Sequence, residues 1–458
     1  MTIVSRINIE KQAESSVKQF CKRIKLGSNL KKSNIHKLNG HSCLSIFESV
    51  FSLVFSGKNL WRYLEREVSP FQKDTVYRFL NNPHYNWRTL LLQVGVWLIN
   101  STFLPLTLSE REKVLILDDS VYSRDRSKSV ELLAKVLDHA TRRFMKGFRM
   151  LTLGWSDGNS FIPVNFALLS SENPASRYND MDHSIDKRTV GYRRRLESIR
   201  KSTEVLVDLV KQAKTSGIQA EYLLFDSWFS FPSVIRNITS QSIQVICRLK
   251  ELRSIRFAYQ GRSLSLNELY QAVPKRRGRA RVVANVIVDI GIHEKSLMAR
   301  IIFVRDREKP DQWIALLSTD LELPETEIIR IYGKRWDIEV FFKVIKSHLR
   351  LAKEFRGQSY DMMISHTSIV CLRYTMLALE SRQNLDNRTI GGMFYDCCDE
   401  LQDIKLATAL QLILNSIQNA LKVALGLSEN KFDELYRFFF NSLPLSFQRL
   451  LLFSECES

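Results

Sequence analysis

No two cysteines in this 458-residue chain form a C-x-x-C pair. The seven present, Cys21, Cys43, Cys247, Cys371, Cys397, Cys398 and Cys456, are scattered and odd in number. That pattern argues against a disulfide framework or a thiolate zinc site and for buried, reduced thiols. The eight histidines are equally dispersed and lack ligand spacing. The first twenty residues, MTIVSRINIEKQAESSVKQF, contain no continuous apolar core of the kind a signal peptide needs. No apolar run approaches the ~20 residues that span a bilayer, and internal repeats and low-complexity segments are absent. The expectation is a soluble, cytoplasmic protein with no membrane partner.

What is present is ordinary globular composition with a strong charge bias. The chain is 45% hydrophobic and 25% charged, and its length allows a large core divided into two to four domains. Lys plus Arg number 67 against 49 for Asp plus Glu, a net charge of +18. An excess of this size favours a polyanionic partner, because each phosphate neutralised releases counterions. An anionic membrane would satisfy the charge too, but the apolar run that would span it is missing.

Along the chain, residues 1–40 carry nine Lys/Arg against Glu10 and Glu14. LSIFESVFSLVFSGKNLWRYL (44–64) reads as helix with a break near Gly57. SPFQKDTVYRFLNNPHYNW adds a turn at Ser69-Pro70, a short helix and a second break at Asn82-Pro83. From Lys113 the pattern changes to strands. VLIL precedes Asp118, MLTLGWSDGNSFIPVNFALL (150–169) reads as two strands joined by an Asp-Gly turn, and YLLF (222–225) ends at Asp226. The basic segment KRTVGYRRRLESIRK (187–201) leads into the helix TEVLVDLVKQAK. Residues 244–318 are strand-rich, with a basic hairpin at KRRGRAR (275–281), and helices return at 325–349, 361–382 and 404–424. This order predicts an α/β core interrupted by a β insertion.

Three segments carry the chemistry. VLILDDS and EYLLFDSWF place aspartates, Asp118-Asp119 and Asp226, where apolar strands end, which is the ligand-binding rim of an open α/β sheet. One such aspartate is commonly only a cap or turn residue; two matching elements in one basic chain are less easily dismissed. In IYGKRWDIEVFFKVIKSHLRL, Tyr332, Arg335, Glu339, Lys343 and Lys346 fall within an arc of about 80° at 100° per residue. A neighbouring arc of Ile331, Ile338, Phe341, Phe342 and Ile345 is suited to packing. A phenol, three cations and a single acid on one face fit phosphoryl transfer on DNA. Carboxylates would bridge two divalent ions, and cations would hold phosphates in register. Oxygen-only ligands suit Mg²⁺, with Mn²⁺ as its substitute.

The spacing Tyr332-x2-Arg335-x3-Glu339-x6-Lys346 resembles the YREK signature of insertion-sequence-4-type bacterial transposases of the DDE superfamily. The resemblance covers residues from about 112 to 350. It implies an RNase H-like catalytic core with a β-rich domain inserted between the second Asp and the Glu, and 112 residues separate Asp226 from Glu339 here. It also implies Asp119, Asp226 and Glu339 as the catalytic, metal-holding triad. Asp119 is chosen over Asp118 because it precedes the hydroxyl residue Ser120, which leaves Asp118 facing the other side of the strand. Arg248 and Lys250 resemble a basic strand that contacts the DNA end. Trp313 resembles a tryptophan that stacks a flipped base, with Trp336 assisting. Lys343 and Lys346 match cations beside the acid.

The implied organisation is a helical DNA-binding domain at 1–100, the two parts of the core at 101–240 and 321–385, the insertion at 241–320, and a helical, dimerising region at 386–458. The implied partners are transposon-end DNA, target DNA and a second copy of the chain, with no small-molecule substrate. An RNase H-like nuclease or recombinase without strand transfer would share the triad. An inert, transposase-derived DNA-binding regulator would share only the scaffold. A glycosidase-like carboxylate pair fits poorly with a net charge of +18.

Overall fold

The computed structural model describes residues 15–425, apart from 58, 67–69, 139–140, 279, 292–295, 307–311, 356 and 384–388, together with a few positions between 431 and 444. The expectations for residues 1–14, for the turn at Ser69 and for most of 426–458 fall outside the described residues.

Strand β1 (Val114–Ser123) starts from the apolar run, whose four residues are at most 1% exposed. Its buried half lies between two partners. The long β3 (Arg143–Ser156) runs antiparallel to it, pairing Val114 with Ser156. β5 (Tyr222–Phe225) runs parallel, pairing Val114 with Tyr222. β4 (Phe161–Leu169) adds antiparallel to β3, and β6 (Gln244–Arg248) adds parallel to β5. The centre is therefore an antiparallel meander, β4-β3-β1, continued by two parallel strands. Strands buried on both faces read as unbroken apolar runs, as YLLF of β5 does. The Asp-Gly turn joins β3 to β4. Gly158 takes φ +84°, and Asp157 Oδ1 accepts from the amides of Asn159 and Ser160 at 2.9 and 2.8 Å.

The strand-rich block does not form a separate sheet. β11 (Trp313–Ser318) pairs antiparallel with β6. The sheet then continues through β10 (Met298–Arg305), β9 (Val282–Asp289), β7 (Phe257–Tyr259) and β8 (Arg262–Leu264). With β2 (Ala134–Asp138), a strand the sequence reading missed, it counts eleven strands.

Helices α1 (Ser16–Arg23), α2 (Leu26–Lys32), α3 (Cys43–Ser52), α4 (Leu60–Arg66), α5 (Lys73–Leu80) and α6 (Trp87–Leu98) form the N-terminal part. Gly57, at φ +71°, breaks the chain between α3 and α4 where the sequence pattern does. These helices share one continuous apolar core with the sheet, and α6 packs on β4, where Gly95 lies close to Val164. Helices α7 (Val190–Ser198), α8 (Ser202–Thr215), α9 (Pro232–Thr239) and α10 (Leu266–Ala272) follow along the middle of the chain. The predicted helix at 325–349 is two helices, α11 (Glu325–Gly333) and α12 (Trp336–Ser347), joined through a tight turn at Lys334-Arg335.

Helix α13 (Tyr360–Gln383) is long and apolar enough to cross a membrane, as is the stretch Trp87–Leu106; the sequence reading found no run of this kind. α13 is instead enclosed by protein, every residue from Tyr360 to Leu379 being buried. It carries charges that only protein partners can satisfy. Arg373 donates to Glu354 and to the Val50 and Phe51 carbonyls at the end of α3. α14 (Ile390–Leu425) follows.

Candidate active site

β1 continues past its apolar half, so Asp118 and Asp119 lie within the strand rather than beyond its end. Successive side chains point to opposite faces. Asp118 and Ser120 share the face covered by α12. Arg335 Nη1 donates to Asp118 Oδ2 at 3.3 Å, and Lys346 Nζ donates to Ser120 Oγ. Asp119 lies on the other face, ion-paired with Arg149 of β3. This facing is the reverse of the expected one. Asp118 meets the residues of the spaced motif, and Asp119 meets a residue the sequence reading did not select. Ser120 was the guide to Asp119, but within a continuous strand a residue shares its face with the one two positions earlier.

Arg335 is the hub of this face. Its Nη2 donates to Glu339 Oε1 at 2.5 Å, one helical turn along, so a single guanidinium spans Asp118 and Glu339. It also lies 5.8 Å from the centroid of the Tyr332 ring. Its Nε–H is buried without a hydrogen-bond partner among the described residues. Asp226 follows directly after β5 and stands at the N-cap position of the single turn Ser227–Phe229, its side chain making no capping bond. Asp226 lies within electrostatic range of this face. Burial pushes the Asp118 carboxyl up to about 7, with Asp119 and then Asp226 adding to the rise while Arg335 opposes it. Burial likewise pushes the Tyr332 phenol up, again with a contribution from Asp226. Burial lowers the Lys346 ammonium, against the pull of Asp138 and Asp119.

The remaining expected residues are dispersed around this centre. Lys343 is exposed on α12 and Trp336 is 62% exposed at its start. Arg248 ends β6 and Lys250 follows it, both exposed. Trp313 is partly buried, stacked 4.7 Å from Tyr270 and edge-on to Phe303 at 4.9 Å. The sequence reading passed over two residues beside the site: Arg149, the partner of Asp119, and Trp228, two positions after Asp226 and 44% exposed. The only signal for Trp228 was its place in the EYLLFDSWF segment.

Among the described residues no three Asp, Glu, His or Cys side chains are close enough to hold a metal ion together. The donor set is nonetheless suited to a hard divalent cation. Asp118, Asp226 and Glu339 offer only oxygen, and a cation, Arg335, already stands between two of them.

The family described as DDE superfamily endonuclease matches residues 54–293, just over half of the chain. The protein belongs to that family. The matched span runs from the N-terminal helices through β9. It includes Asp118, Asp119 and Asp226 and ends before the Glu339 helix. Membership makes the chain a transposase-like, DNA-cleaving endonuclease of a superfamily whose members generally use divalent metals. Its mixed, open sheet with many helices is consistent with a DDE nuclease fold. No curated protein matches the chain.

Proposed function

We propose that this DDE endonuclease is the transposase of an insertion sequence of the insertion-sequence-4 type, binding transposon ends and carrying out both strand cleavage and strand transfer. The observation that carries the reading is the Arg335 bridge. It ties Asp118 of β1 to Glu339 of α12, and Asp226 lies near enough to raise the Asp118 carboxyl. Asp118 and Glu339, distant in sequence, share one guanidinium with Asp226 in electrostatic range, and the residues around them are those of the YREK spacing. The order β4-β3-β1-β5-β6, with β5 and β6 parallel to β1, supports an RNase H-like core. β7–β11, lying between Asp226 and Glu339, support a β-rich insertion that extends the same sheet.

In this reading Asp118, Asp226 and Glu339 hold the metal, and Asp119 serves the other face of the strand. Two Mg²⁺ ions, or Mn²⁺ in their place, would supply activation of the attacking oxygen and stabilisation of the leaving one. The protein's own groups do the positioning. The unpartnered Arg335 Nε–H donates to a phosphate oxygen beside the acids. Lys346, anchored on Ser120, keeps positive charge on the same face. The Tyr332 phenol, held protonated by burial, is a donor rather than an anion. Exposed Lys343, Arg248 and Lys250 extend the cationic surface for the DNA end. The N-terminal helices are the proposed end-binding region and α14 the proposed dimerisation element of a cytoplasmic homodimer.

The test is Glu339→Gln. It should abolish Mg²⁺-dependent cleavage of transposon-end DNA while leaving DNA binding nearly intact; normal cleavage would remove Glu339 from the site. Supplying pre-cleaved ends with a target plasmid then separates the two activities. Joined products support a transposase, and products that are only nicked or linear support a nuclease without strand transfer.

A further inference from the structure

The β2–β3 hairpin holds none of the proposed acids, and its two strands meet in a conflict of charge. Their register sets Lys135 directly opposite Lys146, and like charges at directly paired positions destabilise a sheet. Neither ammonium has a carboxylate partner among the described residues. Each lies against a ring instead: Lys135 Nζ is 4.5 Å from the centroid of Phe144, and Lys146 Nζ is 4.8 Å from that of Tyr178. A ring face steadies an ammonium without neutralising it. Both rings are exposed, Phe144 at 62% and Tyr178 at 50%. Arg142 and Arg143, at the far end of the hairpin, are exposed and also lack an ion pair among the described residues. The nearby acids are otherwise engaged. Asp125 accepts from the Lys146 amide at 3.3 Å, and Asp138 accepts from the Thr141 hydroxyl at 2.8 Å. Strand alternation connects this face with the site. Phe144 and Lys146 share their side of β3 with Phe148, Met150 and Thr152, and Thr152 is paired with Asp118. Asp138, the last residue of β2, lies within electrostatic range of Lys346.

We propose that this face of the β2–β3 hairpin seats the backbone of duplex DNA beside the cleavage position. Phosphates engage the Lys135–Lys146 pair, and Arg142 and Arg143 meet the backbone farther along. A phosphate set between two facing ammoniums turns their repulsion into a shared attraction and releases the counterions they would otherwise hold. The opposed lysines cost the free chain stability, and the bound duplex offsets that cost. The contact is to the backbone and not to bases, because the rings of Phe144 and Tyr178 already carry the two ammoniums. The proposal rests on the DNA-cleaving reading of the site and adds to it the surface along which the uncut duplex lies.

The test uses the full chain and fluorescence anisotropy with a labelled duplex of random sequence, titrated over a range of salt concentrations. The double variant Lys135→Gln, Lys146→Gln should bind the duplex about tenfold or more weakly, and its log–log salt slope should be shallower by about 1.8, two phosphate contacts at about 0.9 each. Lys146→Arg, which keeps the charge, should retain the wild-type slope. Lys211→Gln, which removes an exposed lysine of α8, should change the slope by less than half of one contact. The melting temperature of the double variant without DNA should hold or rise, since the like-charge pair is relieved. Should the double variant fail to fold by circular dichroism, Lys135→Gln alone should lower the slope by about 0.9. A wild-type slope in both the double and the single variant overturns the proposal, as does an equal loss in Lys211→Gln. A wild-type chain that binds no duplex removes the DNA reading itself, a distinguishable failure.

Discussion

Asp118 and Asp119 are adjacent in sequence but meet opposite faces of one strand, so equivalent substitutions should have unequal consequences. Asp118→Asn removes an acid from the Arg335–Glu339 face, and Mg²⁺-dependent cleavage should fall by about a hundredfold or more. Asp119→Asn loosens Arg149 on the far face, and cleavage of the same duplex should stay within about tenfold of wild type. Rate measurements on the pair decide which aspartate belongs to the site; the reverse ranking returns the assignment to Asp119. The titration of Asp118 gives a second expectation. Its carboxyl is raised from an ordinary 3.8 to about 7, so between those values the folded chain keeps a proton that the unfolded chain has released. That contribution to stability is complete at low pH and is lost as pH rises through about 7. With chelator present, melting temperatures should fall between about pH 4 and 7 and level off above, and the fall should be smaller in Asp118→Asn. Parallel profiles for the two proteins would contradict the assignment.

At the scale of elements, what the sequence made legible followed from local patterns. The apolar runs of β1 and β5, the Asp-Gly turn of β3–β4, the break at Gly57 and α13 are set by residues close to one another in the chain. Less legible were features decided by contacts across it. β2 is stabilised by pairing with β3. The continuation of β1 to Ser123 follows from its register with β3, which extends to Ser123 opposite Gly147. The junction between α11 and α12 tightens at Lys334-Arg335, yet Arg335 still reaches Glu339 one turn on. The buried charges were hidden in the same way. Arg195 in the basic segment is 1% exposed because Glu131 and Asp361 enclose it. Arg373, fully buried, joins α13 to Glu354 and to the end of α3. Arg373→Met leaves the Glu354 carboxylate buried without its cation and should cost about 3–5 kcal/mol in chemical denaturation. A loss under about 1 kcal/mol would show that the N-terminal helices are held by apolar packing alone.

For the whole molecule, the sheet is continuous from the strands that carry the proposed acids into the block that looked like a separate insertion. The alternating strands of residues 244–318 carried the strand content but not the β6–β11 pairing that fuses the two parts. The acids proposed for the site stand out in the sequence because each lies beside an apolar run or within a spaced motif. Which acid of the doublet faces α12 depended on where β1 ends, and only the pairing with β3 fixes that. The net charge of +18 is likewise a whole-molecule property. Duplex affinity should fall with salt on a log–log slope of about −0.9 per phosphate contacted, and a slope near zero would show that the basic excess does not meet DNA. The central claim is the convergence of Asp118, Asp226 and Glu339 on shared divalent ions, and calorimetric titration of Mn²⁺ into the DNA-bound protein measures it directly. Two ions should bind the wild type, with at least one lost in each of Asp118→Asn, Asp226→Asn and Glu339→Gln and none lost in Asp119→Asn; equal binding in all five proteins would contradict it.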